Sequence, residues 1–204
     1  MTTTVTPLSR PEPGQQPGRD LWAAERAAEE LLASLGVRLD TADRVDTPRR
    51  MAQALAELLT PPTFDLTTFD NSEGYDELVL VRDIPVTSLC EHHMLPFSGV
   101  AHVGYLPATR ILGLSKLARL VDFYARRPQT QERLTKQIAD HLDRHLQPRG
   151  VGVVLSAEHT CMSLRGVRAT GAATVTSTLL GRLRGDAASR AEFLDLARQE
   201  RRAR

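Results

Sequence analysis

Two short stretches of the chain carry side chains that could bind a metal ion. In the stretch 88–93, Cys90 and His93 are three residues apart, so one tight turn can direct both at a single ion. Further along, 159–161 adds the thiol of Cys161. Two thiolates and one imidazole suit Zn²⁺, which accepts nitrogen and sulfur ligands in a tetrahedron. Three protein ligands leave the fourth position to water, whose pKa zinc lowers to roughly 7 in catalytic sites.

The same residues also allow other interpretations. The two cysteines, the only two in the chain, could be buried apolar thiols or could form a disulfide. A structural zinc site could instead use His92 or His159 as a fourth ligand. If neither histidine is a ligand, both lie beside the metal, where an imidazole that titrates near neutral pH can carry protons. A purely structural site has no need of such residues.

A candidate anion site follows Gly113. Ser115, Lys116 and Arg119 open a predicted helix, whose first-turn N–H groups can bind phosphate. An isolated pair such as Lys116 and Arg119 is more often a solvated helix face. Arg165 would meet the same phosphates if the nearby Cys161 is a metal ligand, and arginine suits bidentate phosphate binding.

A candidate base reader opens the next predicted helix. Glu132 is an acid near a helix N-terminus, which the helix dipole favours by itself. Its two oxygens can also accept hydrogen bonds from N1–H and the 2-amino group of guanine, a pair of donors that adenine lacks. The spacing alone does not choose between these roles.

The elements that must position these residues come in separate runs of helices and strands. Such separation predicts an α+β fold and not a parallel βαβ fold. Apolar periodicity predicts helices over 21–35, 47–59, 115–126, 130–146 and 187–204, and strands over 78–84, 97–106, 151–156 and 173–178.

Composition narrows the partners and the location. A formal net charge of +1 provides no overall basic field, so we expect no nucleic-acid partner. No apolar run approaches the ~20 residues that span a bilayer, and the N-terminus lacks a secretory signal pattern. We therefore expect a cytoplasmic protein with reduced thiols. Residues 1–19, rich in Thr, Pro, Gly and Gln, are predicted to be a flexible arm.

Six ordered stretches of the sequence match one known pattern. They are SLCEHHMLPFSG (88–99), GYLP (104–107), GLSKLARLV (113–121), RPQTQERLTKQIA (127–139), AEHTCMSLRGV (157–167) and TVTSTLLG (174–181). With the entry Asp46-Thr47-Pro48-Arg49-Arg50, they resemble the GTP cyclohydrolase I family from about residue 21 to 198.

This resemblance implies a fold and an assembly. The fold is the tunnelling fold (T-fold), an antiparallel sheet with two helices packed on one face, preceded by N-terminal helices. The implied single domain over 20–204 has its N-terminal helices at about 20–60, its T-fold core at about 76–182 and a C-terminal helix at about 187–201. Family members are commonly toroidal homodecamers with active sites between subunits.

The resemblance also implies an activity and residue roles. The reaction is zinc-dependent hydrolysis and rearrangement of GTP to 7,8-dihydroneopterin triphosphate with release of formate, the first step of pterin and tetrahydrofolate biosynthesis. The implied zinc ligands are Cys90, His93 and Cys161, one ion per subunit; His92 is the proton donor and acceptor, and His159 assists beside the metal. Glu132, with Gln131 next to it, would hold the guanine edge. Ser115, Lys116, Arg119 and Arg165 would bind the triphosphate, and Arg50 would reach it from a neighbouring subunit.

Two other functions compete with this interpretation. Nitrile reductases that resemble the family use a cysteine nucleophile and NADPH without this zinc set. A non-catalytic zinc-binding paralogue would retain the metal and show no turnover. The combination of the zinc residues with His92, His159 and Glu132 favours the hydrolase.

Overall fold

Residues 4–7 and 18–199 are described by the computed structural model, and they divide between two units. One unit contains the helices α1 (Leu21–Ser34) and α2 (Thr47–Leu58). Most of the predicted arm lies outside the described residues, and the domain bounds proposed above stay a prediction. No helix within the described ranges is long and apolar enough to cross a membrane.

The two N-terminal helices begin as their sequences predict. The Asp20 side chain caps α1 by accepting a hydrogen bond from the Ala23 N–H at 2.9 Å. Gly36, just beyond α1, adopts a φ of +77°, which glycine tolerates without steric cost. Pro48 stands in the first turn of α2, where its missing N–H would have no partner in the helix.

The second unit carries the other elements of the fold. They are β1 (Thr4–Pro7), β2 (Asp65–Asp70), β3 (Val79–Cys90), β4 (Pro96–Leu106), β5 (Arg110–Leu112), α3 (Ser115–Ala125), β6 (Pro128–Gln129), α4 (Gln131–Leu146), β7 (Gly150–His159), α5 (Thr160–Ser163), β8 (Ala173–Gly181), α6 (Arg182–Gly185) and α7 (Ala187–Arg198).

The main sheet has five strands in the order β6-β3-β4-β7-β8. Every neighbouring pair is antiparallel except β3 and β6, which run parallel over two residues. A second, antiparallel sheet has the order β1-β2-β5. The expected α+β class is therefore confirmed.

The core lies between the main sheet and the helices α3 and α4. Side chains alternate across a strand, so Val103 and Tyr105 on β4 point to the same face as Val151 and Val153 on β7. These side chains pack with fully buried residues of the two helices, which include Leu117, Leu120, Leu134, Ile138 and Leu142. Each such leucine contributes about 2 kcal/mol to folding by leaving water. Two helices on one face of the sheet agree with the expected T-fold.

The opposite face of the sheet receives α7. Gly104 and Gly152 are cross-strand partners, and their missing side chains leave room for the Phe193 ring. A Cβ atom on Gly152 would lie 2.7 Å from that ring, closer than real Cβ contacts come. The glycine pair is therefore the socket that anchors the C-terminal helix.

β3 is longer than predicted and ends at Cys90 instead of near Ile84. Its pairing shifts between Val81 and Ile84, where Asp83 has a φ of +56°. Pro85 has no N–H to donate, and it lies where β3 has β4 as its one strand neighbour among the described residues, since β6 pairs only with Leu89 and Cys90.

The strand register brings two distant parts of the sequence together. Phe97 of β4 pairs with Ser88 on one side and with His159 on the other. The ends of β3 and β7 therefore flank the start of β4, and the residues that follow each strand share one end of the sheet.

Candidate active site

The turn between β3 and β4 forms the first half of the site. Cys90 is buried, with 6% of its surface exposed. Its N–H donates to the carbonyl of Leu95 and its carbonyl accepts from the N–H of Met94, both at 2.8 Å. Met94 reverses the chain with a φ of +54°, which is uncommon for a residue with a side chain. His92 and His93 are exposed on this turn, and their Nδ1 atoms lie 3.8 Å and 3.9 Å from Cys90 Sγ.

The end of β7 forms the second half. His159 is the last residue of this strand, and Cys161 lies on α5 directly after it. Both cysteines of the chain are free thiols. Burial raises the pKa of Cys161, and the neighbouring Cys90 raises it further through charge and hydrogen bonding. Two thiols this close favour a cation between them, because a metal ion stabilises the thiolate form of both.

Three of these residues form a group of possible metal ligands. One donor atom each from Cys90, His159 and Cys161 lie within 4.8 Å of one another. The sequence prediction put His93 in place of His159, and His93 also lies beside Cys90 Sγ. Sulfur and imidazole donors are the set that zinc prefers. The residues present thus fit a bound zinc ion.

His159 is oriented by Gln131, a residue predicted to lie next to the guanine edge. Gln131 is 2% exposed, and its Nε2 lies 3.0 Å from the Leu155 carbonyl, 2.9 Å from the Thr174 carbonyl and 3.1 Å from Thr176 Oγ1. Because main-chain carbonyls only accept, the amide nitrogen must face them. Gln131 Oε1 therefore faces His159 Nε2 at 2.8 Å, and this nitrogen must carry the proton.

Two charged residues of the predicted site, Glu132 and Arg165, lie near His159 and Cys161. Phe97 stacks on the His159 ring with 4.5 Å between centroids and 10° between planes. Burial lowers the pKa of His159, whereas the nearby Glu132 carboxylate raises it. The positive charge of Arg165 lowers the pKa of Cys161, against the larger effect of burial. Glu132 and Arg165 are both exposed, so their charged groups are accessible to a ligand.

The predicted phosphate residues of α3 lie at the far end of their helix. The Ser88 hydroxyl donates to the Ala125 carbonyl at 2.6 Å, which fixes the last turn of α3 beside the end of β3. At about 1.5 Å per residue, the 11 residues of α3 span about 16 Å. Ser115 and Lys116 are at the opposite end, and Arg119 lies about 9 Å along the helix from Ala125.

Arg50 lies in the helical unit and not in the unit that holds the cysteines. It stands on α2, where its Nη2 is 3.5 Å from the carboxylate of Asp46. Its side chain is 62% exposed. Its predicted contact with a substrate stays a prediction.

Comparison with known proteins identifies the family. The model of one protein family, described as GTP cyclohydrolase I, matches residues 24–198. This chain belongs to the GTP cyclohydrolase I family. The GTP cyclohydrolase 1 of Mycobacteroides abscessus is 56% identical over 184 residues, which cover 87% of this chain and 89% of that relative. The GTP cyclohydrolase 1 of Mycolicibacterium gilvum is 54% identical over 187 residues, with 88% and 92% covered.

One solved structure is similar to this chain, but at much lower sequence identity. The archaeosine synthase QueF-Like in the apo form aligns with 51% of this chain and 93% of its own, with a TM-score of 0.43 and 19% identity. The family therefore rests on the sequence matches alone.

Sequence reasoning missed two residues beside the site of this GTP cyclohydrolase I family member. Glu91 lies inside the motif itself, between Cys90 and His92, and forms an ion pair with Arg133 on α4. The sequence offered one indication of its role, since Glu91 is a charged residue between the predicted ligands Cys90 and His93. Arg133 gave no signal, because a basic residue on an amphipathic helix is ordinarily solvated.

Proposed function

We propose that this protein hydrolyses and rearranges GTP to 7,8-dihydroneopterin triphosphate and formate. The observation that carries the proposal is the convergence of Cys90, His159 and Cys161 within 4.8 Å in a chain of the GTP cyclohydrolase I family. The names of the relatives, both called GTP cyclohydrolase 1, support the same reaction. One water is consumed overall, and C8 of the purine leaves as formate.

We assign Cys90, His93 and Cys161 as the ligands of one Zn²⁺ ion. When bound, zinc supplies Lewis acidity, which makes water a nucleophile near neutral pH. His159 is the rival third ligand, because a ligating histidine commonly donates its other ring N–H to a neighbour, as His159 does to Gln131. Metal analysis separates the two: His93→Ala should lose zinc, while His159→Ala should keep zinc and lose turnover. The opposite pattern would transfer the ligand role to His159.

The other residues select the base and move protons. The Glu132 carboxylate accepts hydrogen bonds from N1–H and the 2-amino group of guanine, and this excludes adenine. His92 carries protons to and from the five-membered ring of the purine as it opens. His159 exchanges its proton through Nδ1, because Gln131 occupies its Nε2–H.

A second copy of the chain completes the phosphate site. Ser115 and Lys116 are at the end of α3 that lies about 16 Å from the end beside Cys90, and Arg119 lies one turn further along the helix. We infer that these residues serve the site of a neighbouring subunit, with Arg165 supplied by the subunit that holds the metal. A toroidal decamer, as the family resemblance implies, would provide this arrangement. Two thiols that must stay reduced support a cytoplasmic location.

Turnover tests the proposal directly. Zinc-loaded protein is incubated with GTP or with ATP, and formate and oxidised, fluorescent neopterin are measured. Both products should form from GTP and neither from ATP. His92→Ala should abolish them, whereas His145→Ala, which changes an exposed histidine in the last turn of α4, should not. Absence of product at full zinc occupancy in the assembled protein would reject the enzyme and favour a zinc-binding paralogue.

A further inference from the structure

The ion pair between Glu91 and Arg133 joins two parts of the proposed site. Glu91 follows Cys90 directly and precedes His92 on the β3–β4 turn. Arg133 stands in the first turn of α4, directly after Glu132. The Glu91 carboxylate contacts Arg133 Nη2, so one side-chain bond spans from the turn to the helix.

The Arg133 guanidinium is fixed independently of Glu91. Its Nε donates to Gln129 Oε1 at 2.9 Å and its Nη2 donates to the Pro128 carbonyl at 2.8 Å. Gln129 is fully buried, and its Nε2 donates to the Tyr124 carbonyl and to Gln137 Oε1, both at 2.8 Å. A guanidinium held by two other acceptors loses little conformational entropy when it also binds a carboxylate.

The backbone anchors only the start of the turn to this region. Pairing of β3 with β6 ends where Cys90 meets Gln129, and the Glu91 N–H donates to the Gln129 carbonyl at 3.1 Å. His92 and His93, the next two residues, are exposed. The Glu91 side chain therefore attaches the turn to α4 at the last position before the histidines.

We propose that Glu91 and Arg133 are positioning residues that hold the histidine turn in place relative to the first turn of α4. The inference rests on the proposed function, because His92 on the turn and Glu132 on the helix must act on the same purine. Neither residue of the pair is among those assigned above to the guanine edge or to the phosphates. Its loss should therefore misplace the proton carrier and leave the base reader where it is.

Kinetics give the first test. Glu91→Gln and Arg133→Met should each lower kcat for GTP roughly tenfold, less than the hundredfold or so that a misplacement of about 1 Å can cost. The KM for GTP should stay within about twofold, because Glu132 is untouched. The double variant should be no slower than the slower single variant, since both changes remove one interaction. Additive losses, or a rise in KM with kcat unchanged, would overturn the proposal.

A neighbouring ion pair provides the matched control. Lys136 and Asp140 are bonded at 2.8 Å one turn further along α4, with 65% and 31% of their side chains exposed. Lys136→Met removes the same kind of charge from the same helix and should leave kcat unchanged. A loss equal to that of Arg133→Met would mean that the helix, and not the Glu91 contact, is responsible.

Hydrogen exchange gives a second readout that does not depend on turnover. In the zinc-loaded protein, the amides of Glu91 and Met94 should exchange faster in both variants than in the wild type, and the Lys136→Met protein should match the wild type. Unchanged exchange in both variants would also overturn the proposal. If the wild type binds zinc but does not convert GTP, the proposed function fails, while exchange still decides whether the pair holds the turn.

Discussion

Replacing the buried His141 should remove a specific part of the acid sensitivity of this protein. His141 lies in α4 with 1% of its surface exposed, and its Nδ1 lies 3.0 Å from the Tyr124 hydroxyl. Its Nε2 is buried without a hydrogen-bond partner among the described residues. Burial lowers the pKa of His141 from 6.5 to about 4, with smaller effects from the charges of His145 and Arg144. The unfolded chain therefore binds a proton at a pH where the folded protein does not.

The sign and size follow from linkage. A histidine with a lowered pKa in the folded state destabilises the fold as the pH falls below 6.5, and the effect levels off below about 4. Between pH 7 and pH 5, these pKa values correspond to a loss of about 2 kcal/mol in the free energy of unfolding. His141→Phe keeps an aromatic ring but cannot titrate. It should lose the Tyr124 hydrogen bond, about 1 kcal/mol at either pH.

The assay compares urea unfolding at the two pH values, followed by far-UV circular dichroism in the presence of a chelator. The wild type should lose about 2 kcal/mol more than His141→Phe between pH 7 and pH 5. His145→Gln, an exposed change on the same helix, removes only the smaller effect of the His145 charge and should therefore keep most of the pH-dependent loss of the wild type. Equal pH dependence of the wild type and His141→Phe would refute the reasoning.

Three further changes test the site and the fold. Cys161→Ser should lower the zinc content well below one ion per subunit, measured by elemental analysis of dialysed protein; full retention would remove Cys161 from the ligand set. Gln131→Met should keep zinc but lower kcat about 10- to 100-fold, because the His159 ring loses its hydrogen-bond partner; an unchanged kcat would show that the ring needs no such partner. Phe193→Ala should cost about 3–5 kcal/mol in urea unfolding, since it empties the Gly104–Gly152 socket; a loss below about 1 kcal/mol would mean that α7 contributes little.

Local patterns were sufficient for the five longer helices, but not for the four-residue α5 and α6, and for most of the main sheet. The apolar spacing of Leu134, Ile138 and Leu142 predicts α4, and these residues are fully buried against the strands. The proximity of Cys90 and Cys161 was predicted from the residue types of the two motifs, and the strand register explains how the two residues come together. Such features are predictable because each depends on residue types within one segment or on a ligand set with few alternatives.

Features that depend on distant partners were not predictable. β6 has only two residues, and it exists because Pro128 and Gln129 pair with the end of β3. In the sequence, Gln131 is only a polar residue beside Glu132. The main-chain carbonyls that fix its amide, of Leu155 and Thr174, come from strands that are distant in the sequence. His141 stands three residues after Ile138, on the apolar stripe of α4. Its position in the helix therefore indicated burial, but histidine is polar and is not counted among the apolar residues that define the stripe.

The way in which Gln131 is held also bears on how the protein can tolerate mutation. Two of the three acceptors that orient its amide are main-chain carbonyls, of Leu155 and Thr174. Every amino acid supplies a main-chain carbonyl, so these two strand positions can exchange one residue for another without deleting an acceptor. On β7 and β8, only the third acceptor, the Thr176 hydroxyl, depends on which residue is present, so the orientation of His159 depends mainly on the identity of Gln131 itself. Leu155 is fully buried and constrained by packing, so among natural variants we expect changes at the half-buried position 174 to be accepted far more often than any change at 131.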